Sequence, residues 1–152
     1  MYRFCRIENT NLICYRNGTI LRQNIRSKKW KICKGSKDKT VYLQIIINKN
    51  SYMCHRVIAH AFGIFDLHSE LKIDHRDRNP SNNCVFNLRP ATQQQNTFNT
   101  NAKGYCWHKR AKKWQSAICL DGKIIHLGYF EKEGDAKQAY IDAKKKYHVL
   151  GC

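Results

Sequence analysis

The stretch from Ile73 to Asn96, IDHRDRNPSNNCVFNLRPATQQQN, constrains this chain more than any other. It leaves room only for short elements. An apolar run, Leu71 to Asp74, ends in a strand terminus, and a polar loop containing Pro80 covers 76–83. Phe86 to Ala91 suits a second short strand. Thr92 is placed to cap a helix from about Gln93 to Asn99, because its hydroxyl can accept from an amide of the first turn. The order is strand, loop, strand, helix. Neighbours on a strand point to opposite faces, so Asp74 and His75 can cooperate only if the chemistry uses two sides of one centre.

The segments on either side are also short. Residues 12–22 read as a hairpin around Asn17-Gly18, and 23–40 as a polar, basic, mobile or extended arm. Residues 41–47 are a strand that turns at Asn48 to Asn50 and returns over 51–54. HRVIAHAFG, 55–63, is a helix stopped by glycine, with Val57, Ile58, Ala61 and Phe62 on its apolar side. After a linker at 99–103 come three strand-like runs, the last two joined by Asp121-Gly122, and then a helix with early acids and late lysines. Trp114, Ser116, Ile118 and Leu120 share one face of the middle strand, and Ile125, Leu127 and Tyr129 one face of the third. Core packing is the expectation for Trp107 and Trp114. The fold class is α+β: a small core of short strands and helices, then a three-stranded antiparallel sheet packed on one helix. The expected divisions are 1–40, 41–99 and 103–148.

Charge narrows the partner. Lysine and arginine number 28 against 11 acids, a net +17, where solubility asks for roughly 2–8 in a small domain. Residues 1–50 carry +10, 51–100 carry +1 and 101–152 carry +6. Two basic flanks around a near-neutral centre suit a polyanion, since each neutralised phosphate releases counterions. No run of about 18 apolar residues spans a membrane. The opening MYRFCRIENTN lacks the apolar middle of a signal peptide, so the expected location is the cytoplasm. None of the eight cysteines forms a Cys-x-x-Cys pair, so no structural zinc site is expected.

Hydrolysis of a phosphodiester needs a water made nucleophilic, a cation on the phosphate and a held geometry. Histidine takes protons near neutral pH, and carboxylate and amide oxygens are hard ligands that suit magnesium. Asp74, His75 and Asn96 supply this set, with Asn87 as a brace. In-line displacement places attacking and leaving oxygens on opposite sides of phosphorus, which gives opposed Asp74 and His75 a purpose. The alternative is an Asp/Asn-rich turn whose side chains cap the backbone, the expectation for Asn79, Asn82 and Asn83.

HRVIAHAFG, IDHRDRNPSNNCVFNL and ATQQQN together resemble the HNH endonucleases of the phage and intron homing type, over residues 41–98. The resemblance implies a β-hairpin and helix holding one metal ion, magnesium or alternatively manganese. Asp74 and Asn96 would be the ligands, His75 the general base and Asn87 the brace. Arg78 stands where glycine is common, and His55 and His60 read as structural. KGYCWHKRAKKWQSAICLDGKIIHLGYFEKEGDAKQAY resembles the Apetala-type DNA-binding domain of plant ethylene-response factors, over about 103–148. That implies a sheet presenting His108, Arg110, Lys112, Gln115, Lys123 and His126 to DNA, with Lys103 nearby. Arg22, Arg26, Lys28, Lys29 and Lys31 in the first flank, and Arg76 beside the Asp-His pair, complete the expected contacts with double-stranded DNA. The expected function is a metal-dependent DNA endonuclease, as monomer or homodimer. A non-catalytic DNA-binding regulator is the alternative. An RNA-binding protein is a third, and it would display exposed aromatics for stacking.

Overall fold

The computed structural model describes residues 1–37 and 41–147. The chain is α+β, rich in sheet with few helices. It divides into two compact units, Met1–Gln93 and Gln94–Cys152.

In the first unit β1 (Tyr2–Ile7), β2 (Thr10–Tyr15), β3 (Ile20–Gln23) and β4 (Trp30–Ile32) form a four-stranded antiparallel sheet in chain order. The reading of 23–40 as an arm is corrected here. Trp30 to Ile32 pair with Gln23, Arg22 and Leu21, and Asn24 organises the connecting turn by accepting from the amides of Arg26 and Ser27. Residues 38–40 of that segment lie outside the described residues. The short β5 (Ser36–Lys37) pairs with β6 (Leu43–Ile47), which pairs with β7 (Asn50–Met53) through Asn48 and Lys49. Both turn residues have positive φ, as the primed hairpin turn requires.

Helix α1 (Cys54–Ala61) ends as its sequence dictates. Gly63, at φ 72°, lets its own amide reach the His60 carbonyl and that of Ile64 reach Ala59. Val57, Ile58 and Ala59 are fully buried against Ile7, Leu12, Cys14 and Ile20 of the first sheet and Ile45 and Ile47 of the second. β8 (Lys72–His75) and β9 (Leu88–Ala91) form a two-stranded ladder closing onto this core through Ile73 and Leu88. Val85–Asn87 is a single 3-10 turn, so Phe86 and Asn87 precede β9 rather than belong to it. Helix α2 (Gln93–Phe98) starts directly after Thr92.

In the second unit β10 (Tyr105–His108), β11 (Lys113–Leu120) and β12 (Lys123–Phe130) form an antiparallel sheet, with α3 (Glu133–Tyr147) packed on it. Ile118, Tyr140 and Ala143 make its core, joined by Ile125, Leu127 and Tyr147. Ser116 pairs with Gly128 but Ala117 with His126, so Leu127 is a bulge. The bulge reverses the strand's phase. Tyr129 therefore does not share a face with Ile125 and Leu127; it lies opposite Gln115 and is exposed. Trp107 is 47% exposed, its ring set edge-on to the half-buried Trp114 at 5.6 Å, which corrects the expectation of a core residue.

Candidate active site

Asp74 and His75 close β8 and are both buried. Their side chains diverge as adjacent strand residues must. Asp74 lies opposite Arg89 on β9. That guanidinium donates to the Asp74 Oδ2 twice, from Nε at 2.9 Å and from Nη2 at 2.6 Å. His75 lies opposite Leu88 and turns toward the core, its ring 5.2 Å from that of His55 and 5.9 Å from Tyr42.

The His75 Nε2 is 3.1 Å from the Asn83 Oδ1. An amide oxygen only accepts, so this contact puts the proton on Nε2 and the basic lone pair on Nδ1. Asn83 was expected to serve only the turn; it is instead a buried partner of the histidine. Gly18 makes room for it. At φ 90°, Gly18 lies so close to the Asn83 backbone that a Cβ there would meet it at 2.8 Å. The Val85 amide also donates to the Arg16 carbonyl, which ties the β2–β3 turn to the site loop.

The loop itself is built on Asn87. Its Oδ1 accepts from the Asp77 amide at 2.9 Å, and its Nδ2 donates to the Asp77 Oδ1 and the Asn82 carbonyl, each at 2.8 Å. Asp77 accepts further from the Asn79 amide and from the Asn82 Nδ2. The backbone donor of Asn79, then the side chain of Asn82, holds the Asp77 carboxyl below its ordinary range. Asn79 and Asn82 cap the backbone at Ser81 and Cys84. Arg78 adopts φ 62°, the left-handed conformation that glycine takes most easily, and its amide reaches the His75 carbonyl. Arg76 is exposed at the loop entrance.

His55 is buried, and its Nδ1 has no hydrogen-bond partner among the described residues. Burial, then the neighbouring His75 and Arg56, lowers its pKa to about 4. It is a neutral wall of the site. Asn83, Arg89, Asp77 and Tyr42 were not singled out as site residues from the sequence. Only Arg89 left a signal there, as a charge opposite to Asp74 on the paired strand.

Asn96 sits half-buried on α2 in the second unit, whereas Asp74, His75 and Asn87 belong to the first. Among the described residues no group of three or more His, Cys, Asp or Glu is gathered to hold a metal ion. Asp74 itself is a buried carboxylate, the hard oxygen donor that magnesium takes, with Arg89 as its counter-charge.

Arg22, Arg26, Lys28, Lys29 and Lys31 are all exposed in the first unit. Arg22 is tied to the Ile46 carbonyl at 2.8 Å and, with Arg26, lines an open hollow of about 390 Å³. In the second unit Gln115 and His126 share one face, their side chains 2.8 Å apart, with the His108 ring 5.3 Å from Tyr129 on that face. Arg110 and Lys112 stand exposed in the β10–β11 turn and Lys103 ahead of β10. Lys123 pairs with Leu120 at the hairpin end, in the phase of Ile125, so it flanks that face rather than lying on it. Among the described residues no helix is long and apolar enough to cross a membrane.

No family model matches the chain. Protein 3.8 of Escherichia phage T7 is 34% identical over 59 residues, covering 34% of this chain. The match spans about half of that relative, 49% of its length. A solved structure described as DNA binding and cleavage by the HNH homing endonuclease I-HmuI is 22% identical, with a TM-score of 0.47. That alignment covers 93% of this chain and 87% of the other.

Proposed function

We propose that this chain is a divalent-metal-dependent endonuclease of double-stranded DNA, with His75 as general base. The observation that carries this is the Asn83–His75 contact. It fixes the tautomer of a buried histidine on the face opposite an adjacent carboxylate. His75 Nδ1 takes a proton from water as the water oxygen bonds to phosphorus. The Asn83 oxygen, accepting from Nε2, steadies the ring as it becomes cationic. The P–O3′ bond breaks and the 3′ oxygen gains a proton, leaving 5′-phosphate and 3′-hydroxyl ends. Asp74 and Asn96 would hold the ion, magnesium or alternatively manganese. Such an ion, when bound, supplies positive charge to the phosphate and the leaving oxygen. Arg89 balances Asp74 in its absence. Asn87 and Asp77 keep the loop between the two strands in one conformation.

Duplex binding falls to the basic flanks. Arg22, Arg26, Lys28, Lys29, Lys31 and Arg76 suit phosphates, as do Lys103, Arg110, Lys112 and Lys123. Gln115, His108 and His126 suit base edges, with the second unit serving as a sheet-based DNA reader of the Apetala kind.

A second reading has one observation in its favour. The Arg89 guanidinium already satisfies Asp74, which fits a non-catalytic DNA-binding regulator on a nuclease-like frame. Supercoiled plasmid incubated with and without magnesium separates the two. Nicking that needs magnesium and vanishes in His75→Ala supports the nuclease; DNA retention with no nicking under any divalent ion supports the regulator.

A further inference from the structure

The outer face of the β1–β4 sheet is used by nothing so far described. Its inner face carries the buried Ile7, Leu12, Cys14 and Ile20. The outer face presents Tyr2 at 50% exposure, Phe4 at 64% and Trp30 at 37%. These rings form a connected row. Trp30 lies 6.3 Å from Phe4, Phe4 5.3 Å from Tyr2, and Tyr2 5.7 Å from Tyr15. The row continues toward the candidate active site. Arg16, next to Tyr15, lies 5.3 Å over the ring of the exposed Phe86, and its carbonyl holds Val85 of the loop that carries Asn83.

The surroundings are strongly basic. Residues 1–37 hold ten lysines and arginines against one acid. Arg6 shares the outer face with Tyr2 and Phe4, and Lys28 and Lys29 occupy the turn before Trp30. A contiguous row of exposed rings marks an interaction surface. Exposed rings among cations suit unpaired nucleobases, whose faces stack on aromatic side chains while the phosphate backbone meets the basic groups.

We infer that this face is a stacking platform for a single-stranded DNA segment running from Trp30 toward Phe86. The preferred substrate is then a duplex with an unpaired arm next to the cut. The choice of DNA rests on the nuclease reading above.

The test measures binding by fluorescence anisotropy, in EDTA so that no cleavage intervenes. The probes are a blunt duplex and the same duplex carrying a twelve-thymidine arm. The armed duplex should bind more tightly. Phe4→Ala and Trp30→Ala should each weaken it by about 5- to 150-fold, the loss expected per stacked base, and leave the blunt duplex unchanged. Trp30→Phe, which keeps a ring, should retain most of the affinity. Equal affinity for the two probes overturns the platform, as does an equal loss on both. A uridine arm bound more tightly than the thymidine arm makes the face an RNA site and also overturns it. So does a dimer in sedimentation that Phe4→Ala dissociates, since the face is then covered by a second copy. A chain that prefers the arm but never nicks plasmid loses the nuclease reading and keeps the platform. One that nicks but ignores the arm does the reverse.

Discussion

His55 gives the first unit a stability that depends on pH above the carboxylate range. The imidazole is buried, its Nδ1 lacks a partner among the described residues, and its pKa falls from 6.5 to about 4. The unfolded chain binds a proton at His55 between those values and the folded chain does not. Stability from this group is therefore fully present above about pH 6.5 and is lost as pH falls toward 4. The full shift corresponds to about 3 kcal/mol, of which about 2 kcal/mol should be lost between pH 7 and pH 5. The exposed carboxylates Glu8 and Asp77, with lowered pKa values, act only at more acidic pH and stay out of this window. The perturbation is His55→Leu, which removes the titrating group. The assay is urea unfolding followed by circular dichroism at pH 5, 6 and 7. Wild type should weaken by about 2 kcal/mol across this range while the variant stays nearly flat, whatever its absolute stability. A flat wild-type curve, or the same slope in both proteins, would mean that His55 does not set this pH dependence.

Four further outcomes follow from the same structure. Asn87→Ala removes three hydrogen bonds from the 76–83 loop and should cost about 3 kcal/mol in urea unfolding. Arg89→Met takes the guanidinium from a buried carboxylate and should destabilise the first unit by about 3 kcal/mol at pH 7; added magnesium should then raise the melting temperature more than it does in wild type. Gly104→Ala places a methyl group 2.0 Å from the Tyr140 ring at φ 68° and should cost the second unit about 2 kcal/mol or more by thermal melting. Asn83→Ala releases the His75 tautomer and should slow plasmid nicking on the order of ten- to a hundredfold, with duplex affinity unchanged in gel shift.

What could be read in the sequence was local. Asp121-Gly122 specifies its turn by its own backbone preference, and Gly63 stops α1 by the same means. Asp74, His75 and Asn87 stood out because their residue types and spacing suit one chemistry. What escaped was set by distant partners. Trp30 to Ile32 form a three-residue edge strand in a lysine-rich segment, and only pairing with β3 reveals it. The bulge at Leu127 leaves no local mark, yet it decides which way Tyr129 faces. Asn83 looks like its neighbours in an asparagine-rich loop. The close approach of Gly18, sixty-five positions earlier, accompanies its placement under His75.

His75, positioned by Asn83, is the proposed base. The most direct test of that role is the rate of magnesium-dependent nicking of supercoiled plasmid by wild type and His75→Ala, with duplex binding measured in parallel. Wild type should nick, the variant should fall by about 10²- to 10⁴-fold, and the two should bind the duplex equally. A variant that nicks at the wild-type rate, or a wild type that never nicks, contradicts that role.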